Sequence, residues 1–165
     1  MKLRMYKVIV LPDAKSEETM KQAFKKSIQK WQKIKTIIQN NDVPINFTDN
    51  SCSLCATSGS LCNLCPIYFK TLDTRCHETP YRNCAKSFYD LHYLIDAMKT
   101  RKKYYVLHFR DGNEFKERIK KSLKCVDEEL KFLTDLYKEC YGEEYTFENE
   151  KVYQKVSKKT HDLKS

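Results

Sequence analysis

The chain has 165 residues, 41% hydrophobic and 32% charged, a balance that belongs to globular proteins with room for one modest core. With only 3 glycines and 4 prolines it excludes collagen-like, linker-rich and low-complexity organisations and favours helix. A formal net charge of +9 draws the molecule toward polyanions at low salt, whether nucleic acid, an acidic protein or an anionic surface, although solvated lysine faces give the same number.

Met5 to Leu11, rich in β-branched and aromatic residues, reads as a short strand stopped by Pro12 and Asp13. Its apolar stretch is too short for a signal-peptide core, and no run approaches the ~18 apolar residues of a membrane span. A cytoplasmic location in a host cell is therefore expected, where thiols stay reduced and clustered cysteines point to metal rather than disulfides.

Ser16 looks like a helix N-cap, with Glu17 and Glu18 in the first turn where the helix dipole favours negative charge. Met20, Ala23, Phe24, Ile28, Trp31, Ile34 and Ile38 then step by three and four, predicting an amphipathic helix that ends near Asn40 and Asn41. Lys26, Lys30 and Lys33 align on another face, a candidate anion contact. Trp31, on the apolar stripe, is expected as a core anchor. Residues 43–51, with Pro44, Asn46, Asp49 and Asn50, form an extended connector.

The connector delivers the chain into Cys52-Ser-Leu-Cys55, Cys62-Asn-Leu-Cys65-Pro66 and Cys76-His77. Structural zinc takes four deprotonated ligands in a tetrahedron, and each CxxC turn supplies two sulfurs from one tight loop. Two ligand sets are open: Cys52, Cys55, Cys62 and Cys65, or Cys52, Cys55, Cys65 and Cys76 with Cys62 spare or replaced by His77. An iron–sulfur cluster is the rival cofactor, since Cys65-Pro66 matches a ferredoxin's last ligand, but the spacing departs from the compact ferredoxin run. Cys84, Cys125 and Cys140 fall on or beside helical stripes and read as structural thiols.

Thr79-Pro80-Tyr81 places a hydroxyl at the N-cap and a proline at the first helical position, so a second helix leaves the cysteine region directly, with Cys84, Phe88, Leu91, Ile95 and Met98 as its apolar stripe. Arg101, Lys102 and Lys103 make a basic turn, and Tyr104 to Phe109 reads as a second strand able to pair with the first. Asp111 and Glu114 resemble a capping box for a long helix carrying Phe115, Ile119, Leu123, Val126, Leu130, Leu133 and Tyr137 to a stop at Gly142. Such steps also suit a coiled-coil seam, so self-association through 112–140 is expected as an option.

Trp31, the two CxxC pairs with Pro66-Ile67, Cys76, Thr79-Pro80-Tyr81 and Glu128-Glu129-Leu130-Lys131-Phe132-Leu133 follow one another in an order that resembles small cysteine-rich proteins of bacteriophage and prophage genomes. The resemblance covers residues 25–140. It implies a phage or mobile-element protein with a helical, zinc-binding fold, and no particular activity.

The expected architecture is mainly α: a three-helix core over 1–142, a metal knuckle between the first and second helices, a small two-stranded β element, and a loosely attached tail over 143–165. The expected function is that of a zinc-binding, non-enzymatic accessory protein that contacts nucleic acid through Lys26, Lys30, Lys33 and Arg101 to Lys103. The alternatives are a protein-interaction module acting on a host factor, an iron–sulfur protein, or a metal-dependent nuclease using His77, His92 or His108 with Glu78, Asp90 or Asp111. Walker loops, nucleophile elbows and HExxH motifs do not occur in the sequence.

Overall fold

A computed structural model describes residues 14–44, 47, 52–100 and 113–147, with backbone alone at 14–16 and 95–100. Three long helices carry the fold: α1, Ala14–Gln39; α4, Tyr81–Thr100; and α5, Asn113–Tyr141. Between α1 and α4 lie two short helices, α2 (Ser53–Thr57) and α3 (Pro66–Thr71), with a 3-10 turn at Cys62–Leu64. No strand occurs among the described residues. The two predicted strands, Met5 to Leu11 and Tyr104 to Phe109, and the basic turn at Arg101, Lys102 and Lys103 lie outside the described residues.

Helix α1 begins two residues before the predicted cap, so Ser16 sits in its first turn rather than at its boundary. Ala14 and Lys15 are good helix formers and let the helix extend backward. Its end is where the sequence places it: Asn41 adopts a left-handed φ of 58° and its N–H reaches the Ile38 carbonyl at 2.9 Å. At the start of α4, Thr79 Oγ1 accepts the Tyr81 N–H at 3.3 Å, and Pro80 begins the ladder by accepting the Cys84 N–H at 3.1 Å. Gly142, at φ 71°, closes α5 by donating its N–H to the Lys138 carbonyl.

Helix α5 packs on both other long helices, and both run antiparallel to it. Against α1, Lys35 pairs with Asp127 at 2.8 Å and Lys21 with Glu143 at 2.9 Å, while Phe24 meets the Tyr137 and Tyr141 rings edge-on. Against α4, the buried hydroxyls of Ser87 and Ser122 share a 2.6 Å hydrogen bond, and Arg118 donates to the Asp90 carbonyl. Helices α1 and α4 are therefore parallel to each other, with Trp31 of α1 seated between Tyr81 and Phe88 of α4.

Two parallel helices cannot be joined by a tight turn, because the chain must travel back along the bundle before starting the second. Residues 40–80 are that return path. Near the end of α1, the Phe47 ring stacks edge-on against Phe88 and Tyr89, and His92 Nε2 lies 3.0 Å from the Pro44 carbonyl oxygen. Lower down, Leu54, Cys65, Pro66 and Ile67 are buried, and Lys70 bridges to Glu139 of α5 at 2.7 Å. The cysteine segment thus covers the half of α5 that α4 does not reach.

The apolar stripe of α5 faces α1 and α4 of the same chain, and its buried set includes Ile119, Val126, Leu130, Leu133, Leu136 and Tyr137. Residues 143–147 fold back: Tyr137 hydrogen-bonds Glu143, and its ring meets that of Tyr145 edge-on.

Candidate metal centre

Local chain chemistry sets the thiols around two adjoining hollows. Cys52 stands immediately before α2 and Cys65 immediately before α3, each in extended conformation. From these positions a side chain looks back at the first-turn amides. Neither sulfur makes a full capping hydrogen bond, but the Leu54 and Cys55 amides act on Cys52, and those of Ile67 and Tyr68 on Cys65, in the sense that favours thiolate. The 3-10 turn carries Cys62 between them. Cys76 is held by a reversed backbone, with Arg75 and Cys76 both left-handed at φ 60° and 57°, and its carbonyl accepts the Thr79 hydroxyl at 2.9 Å.

The segment has few residues in its own core and much unfavourable backbone. Ser60, Leu72, Arg75 and Cys76 are all non-glycine residues at positive φ, each at a cost of about 1–2 kcal/mol. Only Gly59 adopts the left-handed region there without that penalty.

Two adjoining hollows meet at the thiols. An open cleft of about 400 Å³ is lined by Cys55, Cys62, Cys65 and Cys76 together with Asp73 and Arg75. A cavity of about 20 Å³ behind it is lined by Cys52, Cys55 and Cys76, by Ser27 and Lys30 of α1, and by Glu129 of α5. Cys55 and Cys76 belong to both walls.

The five sulfurs are linked electrostatically. The Cys55 thiol, donating to Cys52, draws the Cys52 thiol well below its ordinary value, with the Ser27 hydroxyl 3.3 Å away helping against burial. Cys55 moves the other way, because it gives up that bond on ionising, is desolvated, and feels the charges of Cys52, Cys65 and Cys76. Burial pushes Cys65 up to about 11, and burial with the charges of Cys65 and Cys52 pushes Cys76 up to about 12. The Cys62 charge acts in the same upward sense on Cys65 and Cys76. Among the described residues no three His, Cys, Asp or Glu side chains, as they stand, converge tightly enough to hold an ion.

Glu129 was not legible as a site residue from motif reading. It is 2% exposed on the inner face of α5; burial pushes its carboxyl up to about 8, the Tyr81 backbone N–H opposes this, and the Cys52 charge adds to it. A polar residue three after Val126 and four before Leu133, squarely on an apolar stripe, is the signal that could have exposed it.

The remaining candidates are scattered. Lys26 and Lys33 are exposed while Lys30 is half-buried at the Glu129 cavity, so the predicted lysine row is divided between the surface and the interior. His77 lies 3.9 Å from Asp73, and His92 is occupied with Pro44 and Phe47. Glu78 and Asp90 are exposed, and His108 and Asp111 lie outside the described residues. Cys84 and Cys125 are buried facing each other across α4 and α5, each pushed up mainly by burial, which makes them inert structural thiols.

No family model, curated protein or solved structure matches this chain. The likeness to cysteine-rich phage proteins rests on the order of its motifs alone. No helix among the described residues is long and apolar enough to cross a membrane.

Proposed function

We propose that this is a zinc-binding, non-enzymatic accessory protein of a phage or mobile element, in which four of Cys52, Cys55, Cys62, Cys65 and Cys76 hold one ion. The observation that carries the reading is the lining of two adjoining hollows by five cysteines, Cys55 and Cys76 belonging to both, with the charges of neighbouring sulfurs pushing Cys55, Cys65 and Cys76 up. Thiols that resist ionising together are stabilised as thiolates by a shared dication, and Zn²⁺ accepts four of them in a closed tetrahedron. Holding an ion requires these side chains to draw together, since among the described residues they do not enclose one as they stand. Structural zinc contributes on the order of 10 kcal/mol or more, enough to offset the left-handed residues and comparable with the whole stability of a small domain.

Elemental analysis and visible spectroscopy of protein purified without oxygen test this. One zinc per chain in a colourless sample is expected. A brown sample with iron replaces zinc by a cluster, and a metal-free sample that readily forms a Cys52–Cys55 disulfide replaces the metal site by a redox dithiol.

A polyanion is the partner class that the surface favours. Arg82, Lys86, Tyr89 and Tyr93 are exposed on α4 at steps of four, three and four, and Tyr89 and Tyr93 retain 60% and 78% of their accessible surface. That stripe is about 16 Å long, and its two rings are about 6 Å apart along the axis, close to the step between extended nucleotides. Cations for phosphates beside rings for bases are the composition a single strand uses. With a net charge of +9, binding of a short single-stranded oligonucleotide is expected to weaken steeply with salt and to be lost in Arg82→Gln/Lys86→Gln. Binding that ignores ionic strength returns the stripe to an ordinary solvated face and favours a protein partner.

A further inference from the structure

We infer that Glu129 of α5 and Ser27 of α1 form an outer shell that fastens the sulfur cluster to both long helices, so that metal loading and the docking of α1 on α5 are one event. This rests on the zinc reading above and adds residues that lie far outside the cysteine motifs.

Glu129 is buried deep on α5, facing the cysteines, and its Oε2 has no hydrogen-bond partner among the described residues. The Tyr81 backbone N–H accounts for one interaction of the carboxyl, and the Lys30 charge acts on it as well. A carboxyl with an idle oxygen is a poor choice for a helix face that needs only apolar packing, since desolvation opposes it and a leucine of similar size would fill the same space. The cavity it faces is the size of a single water or ion, and Cys52, Cys55 and Cys76 are among the residues that line it. From the opposite helix, Ser27 is buried with its Oγ 3.3 Å from Cys52 Sγ.

With four sulfurs closing the tetrahedron, Glu129 is a positioning residue rather than a fifth ligand. Thiolates only accept, so Glu129 would serve the Cys52 and Cys76 side of the site as the neutral acid, donating its O–H to sulfur once the thiols draw in, with Lys30 lining the same cavity. Groups in this role orient the ligands and raise affinity without touching the metal.

The experiment is zinc titration of wild-type protein, Glu129→Leu, Glu129→Gln and Ser27→Ala against a chromogenic chelator, with hydrogen exchange of α1 and α5 followed with and without zinc. Glu129→Leu is expected to weaken zinc binding by about 10- to 100-fold while keeping helix content, with Glu129→Gln and Ser27→Ala in between. Zinc is expected to slow exchange in α1 and α5 of the wild type and to do so far less in Glu129→Leu. Equal zinc affinity in wild type and Glu129→Leu overturns the inference and leaves the metal site standing. Failure of the wild type to bind zinc with its thiols free removes both.

Discussion

Thr79 is bound to Cys76 through its side chain, its hydroxyl donating to the Cys76 carbonyl at 2.9 Å while the same oxygen accepts the Tyr81 N–H. One buried hydroxyl therefore ties the last cysteine of the cluster to the first turn of α4. Thr79→Val keeps the shape and removes both bonds. It is expected to lower stability by about 1 kcal/mol, the usual worth of a helix cap, and to speed zinc loss. Urea denaturation and metal-release kinetics measure the two effects, and a variant unchanged in both would show that Pro80 alone starts the helix.

Ser87 and Ser122 make a 2.6 Å hydrogen bond in the buried seam between α4 and α5. Replacing one by alanine strands the other hydroxyl, at a cost of about 1–3 kcal/mol, whereas replacing both removes the need for the bond. The double variant Ser87→Ala/Ser122→Ala should thus be no less stable than the worse single variant. A strictly additive double-mutant cycle would falsify this coupling.

Phe24 is fully buried, its ring edge-on to Tyr137 and Tyr141. Phe24→Ala is expected to cost about 3–5 kcal/mol through lost burial and the cavity left behind. Tyr89→Ala, at a largely exposed ring, should stay within about 0.5 kcal/mol on the same denaturation curve. Comparable losses at the two sites would contradict the packing of α1 on α5.

The Glu143 carboxyl is held below its ordinary range by a hydrogen bond from Tyr137 and by Lys21. A depressed folded-state value means the unfolded chain binds the extra proton, so this contribution to stability is present above the ordinary carboxylate range and is lost as pH falls through the lowered value. The loss of stability as pH falls below the ordinary carboxylate range, followed by circular dichroism, should therefore be shallower in Glu143→Gln than in the wild type. Overlapping curves would mean that water screens the exposed carboxyl completely.

The three long helices were legible because each carries an unbroken three-and-four apolar rhythm with recognisable punctuation: Asn41 after α1, Thr79-Pro80 before α4, Gly142 after α5. Those are local signals, written within a turn or two of where they act. The interior of the cysteine segment was not legible beyond its thiol spacing. Its left-handed residues at Leu72, Arg75 and Cys76 have no sequence signature, since αL conformations favour glycine and asparagine, and Leu72 and Arg75 adopt them at exposed positions. The same holds for Ser122, Cys125 and Glu129, a polar row on α5 whose purpose depends on what faces it: Ser87, Cys84 and the sulfur cluster.

The parallel setting of α1 and α4 has a kinetic corollary. Helices α4 and α5 are sequence neighbours and meet as an antiparallel pair, so their contacts form across a short closed loop, whereas Phe24 reaches Tyr141 only after nearly the entire described chain has been gathered in. Refolding should then begin with an α4–α5 hairpin, and α1 should arrive last, at a speed set by how quickly the intervening cysteines organise.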